Sequence, residues 1–241
     1  MLTPISDYTH SANTKARAVP VEAVRLEDSF WEPRCKINRT VTLAAQLEHC
    51  ENTGRIDNFR RASGKKDVPF QGLVFNDSDV YKVMEAIAFS LATHPDAELE
   101  ARLDRVIQEV VDAQCENGYL NTYFMFEREK ERWTNLRDQH ELYCAGHLIQ
   151  AAVIHFRATG KRTLLDVAIK LADHIYSVFG PEGQEGACGH PEIEMALIEL
   201  SRTVNDPKYT ALARRMIDLR GKTPSVIDGH NQFDHRYMQD H

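Results

Sequence analysis

The pattern that most constrains the fold of this chain is a helix–turn–helix unit that occurs three times. The units cover residues 78–120, 140–180 and 190–221, and each contains two helix-length apolar patterns around a short turn. The turns "THPDAEL", "TGKRTLL" and "VNDPKYT" use Pro, Gly, Asp and Asn to end one helix and begin the next. In the first unit, the apolar residues recur at helical spacing: Val80, Val83, Met84, Ile87, Ala88 and Leu91. The sequence therefore predicts an all-α chain of successive α-hairpins.

Successive α-hairpins stack either as an open solenoid or as a closed (α/α)6 toroid. The loose period, between 50 and 62 residues, and the long polar-aromatic loop "ENGYLNTYFMFEREKERWTNLRDQ" favour the toroid. Three clear hairpins and a possible partial one are fewer than the six that close a ring. We therefore expect an incomplete (α/α)6 toroid: residues 1–18 as a flexible N-terminal segment and 19–241 as the N-terminal portion of a truncated barrel.

The N-terminal part is less regular. The stretch from Val19 to Trp31 alternates weakly and predicts a possible short β segment. From Cys35 to Cys50 the pattern predicts a helix, while residues 51–67 are polar, contain glycine and predict a loop. The predicted helix face comprises Ile37, Val41, Ala44, Ala45 and Leu47.

Bulk composition excludes several functional classes. A net charge of −7 and the lack of a basic cluster argue against a nucleic-acid partner, because that binding depends on Lys and Arg neutralising phosphates. No signal peptide or membrane-length apolar run is present, which predicts a cytoplasmic protein with no membrane contact. The five scattered cysteines form no close pair, so neither a disulfide framework nor a zinc finger is predicted.

Candidate functional residues lie where the first helix of each hairpin begins. These starts read "NDSD" (76–79), "QHE" (139–141) and "GHPE" (189–192), and they would converge if the first helices form the inner ring. Asp, Ser, Pro and Glu are also ordinary residues for capping a helix, so an architectural role is an alternative. The candidate ligand-binding residues are His140, His190, Asp77, Asp79 and Glu141.

The sequence signals for other kinds of chemistry in the same region are weaker. The two histidines of "HELYCAGH" are seven residues apart, which does not match the i, i+4 spacing of a zincin. Cys144 is predicted to be a packing residue and His147 a core histidine. Loop aromatics such as Tyr119 and Trp133 either stack on a sugar or cover the core, and sequence cannot place any two carboxylates at the separation that glycosidases use.

Six ordered segments resemble glycoside hydrolase family 127, the β-L-arabinofuranosidase-type enzymes. They are "GRIDNFRR", "GLVFNDSDVYKVMEA", "NGYLNTYF", "RWTNLRDQHELYCAGHLIQAAV", "TGKRTLLDVAIKLADHI" and "GHPEIEMAL", within residues 20–241. The resemblance implies an (α/α)6 catalytic barrel and a retaining mechanism with a zinc-bound cysteine nucleophile and a glutamate acid/base. It also implies that His140 and His190 contact an arabinofuranose ring.

The family's catalytic motifs have no counterpart in this sequence. The family's acid/base glutamate lies in a segment of the Gly-Glu-x-Phe-Gly type, and this sequence contains no Gly-Glu pair. It also contains neither Glu-Thr-Cys nor adjacent cysteines. Cys144 and Cys188 do not match the zinc and nucleophile positions. We therefore expect no catalytic residue, no metal ligand and no cofactor within this chain, although zinc belongs to the full-length family.

The resemblance predicts the N-terminal fragment of an arabinofuranoside-acting hydrolase that is inactive alone. Alternatives are a non-catalytic sugar-binding module, half of a split enzyme that needs a complementary C-terminal half, and a helical-repeat interaction scaffold. Another (α/α)6 sugar enzyme, such as an epimerase or an unsaturated uronyl hydrolase, would need motifs that the sequence lacks. The apolar edges of an incomplete toroid also predict self-association.

Overall fold

The structure, a computed structural model, describes residues 12–16, 18–220, 222 and 226. Most of the predicted flexible segment 1–18 lies outside these residues. Within them the chain forms α-helices, short 3-10 turns and one π turn, and no strand. The α-helices are α1 (Trp31–Ile37), α2 (Leu43–Asn52), α3 (Arg55–Ala62), α4 (Asp77–Thr93), α5 (Ala97–Asp112), α6 (Glu141–Thr159), α7 (Thr163–Phe179), α8 (Ile193–Val204) and α9 (Pro207–Arg220).

The three predicted hairpins are confirmed as α4/α5, α6/α7 and α8/α9. Their turns are short because each has a defined helix stop or start. The Asp96 side chain accepts hydrogen bonds from the backbone N–H groups of Glu98 and Leu99 and so caps α5. Gly160 and Asn205 adopt the left-handed conformation that ends α6 and α8. Each second helix therefore folds back antiparallel to its first.

The first helices of the hairpins form an inner layer and the second helices an outer one. Helix α6 lies between α4 and α8, and α5, α7 and α9 pack behind them. Because α6 is covered on most sides, twelve of its nineteen residues are buried. The predicted apolar side of α4 is confirmed, since all of its members except the partly buried Val83 are buried. This arrangement is an incomplete α/α toroid.

A fourth, shorter hairpin precedes these three. Helix α2 packs against α4, and α3 packs against α5. The prediction of a loop over 51–67 holds for 63–67 but is wrong at α3, because Ile56 and Phe59 are buried in the core although most of this helix is polar. The left-handed Gly54 makes the tight turn between α2 and α3.

The N-terminal helix is only partly as predicted. Residues 31–52 are continuously helical, with a π turn at Asn38–Thr42 between α1 and α2. Its buried residues are Leu43, Leu47 and Cys50, whereas Ile37 and Val41 are exposed. The predicted face is therefore wrong at its N-terminal end.

The possible β segment at 19–31 is not formed. A 3-10 turn occupies Val21–Ala23, and the apolar side chains of Val19, Val24 and Leu26 are exposed. A strand needs a neighbouring strand to satisfy its backbone groups, and the described residues offer none. In the described part of the chain, no helix has the length and apolar character needed to cross a membrane.

Candidate functional site

Two histidines meet where the inner helices begin. His140 is the residue before α6, and its φ of 59° is left-handed, which turns its ring toward the next hairpin. His190 lies in the loop before α8. Their Nε2 atoms are 3.0 Å apart and their ring centroids 4.9 Å apart. The predicted convergence of these helix starts is therefore present in the structure.

Two glycines allow this close approach. A Cβ atom at Gly146 on α6 would lie 2.7 Å from Cγ of Glu192 and 3.0 Å from the backbone nitrogen of Ile193. A Cβ atom at Gly189 would collide with the carbonyl oxygen of Arg137. The Gly189 N–H also donates to the carbonyl of Leu136 at 3.1 Å. The loops that carry the two histidines are thus joined backbone to backbone.

The hydrogen bonds of the pair determine its proton arrangement. His140 Nδ1 lies 2.5 Å from the carbonyl oxygen of Asp138, which can only accept, so Nδ1 carries the proton. When the His140 ring is neutral, its Nε2 accepts a hydrogen bond from His190 Nε2–H. Burial, with the neighbouring His140 and Arg220, lowers the pKa of His190. The rim therefore places an imidazole donor and an imidazole acceptor side by side.

The polar surface continues from this rim along two inner helices. Helix α4 carries Ser78, Lys82 and Glu85, and α6 carries Tyr143, His147 and Gln150, each set at i, i+4 and i+7. The Lys82 ammonium donates to the hydroxyls of Tyr143 at 2.8 Å and Ser78 at 3.1 Å. We call these six residues the polar stripe.

The Tyr143 ring contacts all three imidazoles of the region. Its centroid is 5.6 Å from that of His140, 4.5 Å from His147 and 5.3 Å from His190. The contacts to His140 and His147 are edge-to-face, the geometry that aromatic rings prefer. Tyr143 is therefore the residue around which the imidazoles are arranged.

His147 differs from its prediction as a core histidine. Its side chain is 15% exposed, and its Nδ1 lies 3.5 Å from a carboxylate oxygen of Glu192. Burial and the positive charge of Lys82 lower its pKa to about 4, so the imidazole is neutral at pH 7. Its position at i+4 from Tyr143 aims it into the polar stripe rather than into the apolar core.

The carboxyl groups of Glu85, in the polar stripe, and of Glu192, beside His147, have pKa values shifted upward, opposite to the shift of His147. Burial and the nearby Glu192 raise the pKa of Glu85 to about 7, although a hydrogen bond from Gln150 opposes the shift. Burial also raises the pKa of Glu192. Both carboxyls are thus closer to neutrality than exposed glutamates at pH 7.

Asp77 and Glu141, which were predicted to bind a ligand, lie behind the rim. Asp77 accepts hydrogen bonds from the backbone and hydroxyl of Thr122. Glu141 accepts from the Tyr119 hydroxyl at 2.6 Å and the Trp133 backbone N–H at 2.7 Å. Both carboxylates are buried, and their position fits anchoring of the 119–133 loop rather than ligand contact.

Asp79 also has a protein partner. Its carboxylate pairs with the guanidinium of Arg55 at 2.8 Å, which links α4 to the start of α3. Two aromatic residues of the loop, Tyr119 and Phe124, are fully buried. Their burial favours the core-covering alternative over sugar stacking.

The cysteines do not provide a nucleophile in this region. Cys144 is buried, and burial raises its pKa well above the ordinary value; the pKa of Cys188 is raised to about 12 for the same reason. Neither thiol forms a thiolate at neutral pH. Among residues 12–16, 18–220, 222 and 226, no group of three or more His, Cys, Asp or Glu side chains is arranged to hold a metal ion. These residues therefore do not fit the zinc site that the resemblance implied.

The candidate site residues predicted from the sequence did not include Lys82, Tyr143, Glu85 and Gln150. The sequence signal that could have found them is the occurrence of polar side chains at i, i+4 and i+7 within otherwise apolar inner helices. The polar helix starts attracted the prediction instead, because each contains several functional residue types within four positions.

Fold and site together define a helical-hairpin toroid with a histidine-bearing polar surface at one end of its inner helices. The sequence matches the family described as "Beta-L-arabinofuranosidase, GH127 catalytic domain" over residues 23–241. The chain therefore belongs to glycoside hydrolase family 127, which confirms the resemblance.

Characterised relatives are similar over most of the chain. A non-reducing end β-L-arabinofuranosidase of Bifidobacterium longum subsp. longum is 41% identical over 175 residues, which are 70% of this chain and 27% of that protein. The solved structure of Ara127N-Se, a GH127 β-L-arabinofuranosidase from Geobacillus stearothermophilus T6, superposes with a TM-score of 0.82 at 44% identity. The superposition covers 90% of this chain and 35% of the Geobacillus chain.

Another solved GH127 β-arabinofuranosidase superposes with a TM-score of 0.79 at 39% identity and covers 84% of this chain and 34% of that one. This chain thus spans between a quarter and about a third of the length of these three relatives.

Proposed function

We propose that this chain forms the N-terminal part of a catalytic barrel that acts on β-L-arabinofuranosides, and that His140 and His190 bind the sugar. The meeting of the two imidazoles at the inner helix starts is the observation that carries the proposal. A sugar hydroxyl both donates and accepts hydrogen bonds, so it can replace either imidazole as the other's partner. Family membership and the names of the relatives support arabinofuranose as the sugar.

Binding of methyl β-L-arabinofuranoside, followed by calorimetry or NMR titration, tests this proposal. His190→Ala removes one imidazole, and His140→Gly removes the other while keeping a residue that tolerates the left-handed backbone. We expect each variant to weaken binding by about tenfold or more, the cost of one polar contact to a sugar. His94→Ala is a matched control, because His94 is exposed at the opposite end of α4. Equal affinity in all four proteins would overturn the proposed role.

We also propose that a complete retaining reaction needs groups that this region does not supply. A retaining glycosidase requires a nucleophile and an acid/base group on either side of the scissile bond. The buried thiols of Cys144 and Cys188 are unsuitable as the nucleophile, and no zinc-dependent step is assigned to these residues. We expect the purified chain to release no p-nitrophenol from p-nitrophenyl β-L-arabinofuranoside. Sustained turnover that is lost in His190→Ala would contradict this expectation.

One exposed apolar surface supports association with a complementary half or with a second copy of this chain. The apolar side chains of Phe30, Trp31, Ile37 and Val41 on and beside α1 are all more than half exposed. Exposed clusters of this kind mark association surfaces in folded proteins. Sedimentation velocity of the wild type and of Trp31→Ser with Ile37→Ser tests it: a concentration-dependent shift present only in the wild type is expected, and monomers in both would exclude self-association.

A further inference from the structure

We propose that Lys82 is a positioning residue of this site: through its hydrogen bond to the Tyr143 hydroxyl, it holds the phenol ring against His140, His147 and His190. The inference deepens the proposed function and depends on it only for the identity of the sugar. Neither the family match nor the sequence pattern assigns a role to Lys82 or Tyr143.

The first step concerns why a lysine is present on an inner helix. Lys82 is partly buried on α4, where a charged side chain is costly unless it is paired. Its ammonium donates to two neutral hydroxyls, Ser78 and Tyr143, and lies 4.9 Å from the centroid of the Tyr143 ring. Among the described residues, its hydrogen-bond partners are these two hydroxyls and no carboxylate. The Lys82 charge opposes the rise in the pKa of Glu192 at longer range, whereas its hydrogen bonds go to two hydroxyl groups.

The second step concerns what Tyr143 would do without this bond. Three imidazoles contact the ring, and the hydroxyl accepts the hydrogen bond from Lys82. Edge-to-face aromatic contacts are individually weak and tolerate a range of ring positions, so ring contacts alone select one rotamer weakly. The charge-assisted bond from the ammonium adds a second, directional constraint across two helices. Lys82 thus links α4 to the imidazole arrangement on α6 and before α8.

The third step separates the position of the ring from the charge of the lysine. Lys82 and Asp79 face His147 from α4, and Glu192 faces it from the start of α8. The Lys82 charge lowers the pKa of His147, whereas its hydrogen bond to Tyr143 acts on ring geometry. Tyr143→Phe removes the bond and keeps the charge. Lys82→Met removes both, and Lys82→Arg keeps the charge and hydrogen-bond donors.

NMR of the histidine side chains tests the proposal without any sugar. We expect Lys82→Met and Tyr143→Phe to shift the ring resonances of His140 and His190 in the same direction. We expect the pKa of His147 to rise by roughly one unit in Lys82→Met, and to change little in Tyr143→Phe and Lys82→Arg. Ring resonances in Lys82→Arg should lie closer to the wild type than those in Lys82→Met.

Lys208→Met is the matched control, because Lys208 also lies 4.8 Å from a tyrosine centroid, that of Tyr209, but on the outer helix α9. Melting temperatures establish that each variant is folded, and Lys82→Arg with Tyr143→Phe decides the question if Lys82→Met does not fold. The proposal is overturned if His140 and His190 resonances in these variants match those of Lys208→Met. A normal ring response without binding of methyl β-L-arabinofuranoside would instead sustain the role of Lys82 and refute the proposed sugar.

Discussion

The inner helix starts have two sides with different chemistry. On the side that faces the 119–133 loop, here called the outer side, the carboxylates of Asp77 and Glu141 are buried and accept hydrogen bonds from that loop. On the inner side, His140 and His190 contact each other through their Nε2 atoms and are at least partly exposed. Two polar residues that are adjacent in sequence, Glu141 and His140, therefore differ: Glu141 holds the loop, and His140 leaves its imidazole at the rim.

The largest effect is expected on the outer side. Glu141→Ala removes the acceptor of the Tyr119 hydroxyl and of the Trp133 N–H, and leaves two donors unsatisfied in a buried place. At about 1–3 kcal/mol for each such group, we expect the free energy of unfolding to fall by about 4 kcal/mol. Urea denaturation measures this loss. A change below about 1 kcal/mol would mean that the loop is not anchored by Glu141.

The pH dependence of stability should reveal the same carboxyl group. Burial raises the pKa of Glu141 to about 7 from an unfolded value near 4.5, so between these values the folded state binds more protons than the unfolded state. Its contribution to the free energy of unfolding must therefore fall as the pH rises through this window, by up to about 1.4 kcal/mol per pH unit.

Glu141→Gln, which keeps the shape but cannot titrate, is the comparison protein for this measurement. Subtracting its unfolding free energies from those of the wild type between pH 4.5 and pH 7 should leave a negative slope. A flat difference would show that Glu141 titrates normally in the folded protein.

A smaller effect on stability is expected on the inner side. His140→Gly removes the ring contacts of His140. It also removes the conformational cost of a non-glycine residue in the left-handed region. Since such a conformation costs about 1–2 kcal/mol, gain and loss should nearly cancel, and the free energy of unfolding should change by less than about 1 kcal/mol. A loss comparable to that of Glu141→Ala would remove the distinction between the two sides.

The smallest effect is expected for Asp79. Its pair with Arg55 is partly exposed, and exposed ion pairs contribute about 0.2–1 kcal/mol. We expect Asp79→Asn to lower the free energy of unfolding by about 0.5 kcal/mol, with less effect in 1 M salt than in 0.1 M salt. Chemical denaturation at both salt concentrations measures this, and a salt-independent loss would point to a structural role beyond charge.

The sequence by itself determined the three hairpins, their turns and the apolar side of α4. Helical periodicity and residues such as Asp96, Gly160 and Asn205 act locally, so these features do not depend on distant contacts. The helix α3 escaped prediction because its few apolar residues are buried only through packing against α5 and the core. Periodicity cannot show a helix whose buried side is this narrow.

Tertiary structure alone decided which polar residues share a surface. The sequence placed His140 and His190 at helix starts, but their contact required the close approach allowed by Gly146 and Gly189. It could not show that Glu141 faces the loop, or that Lys82 reaches Tyr143 on the neighbouring helix. Side-chain direction around a helix follows from its spacing, but what stands opposite is set by how neighbouring helices pack.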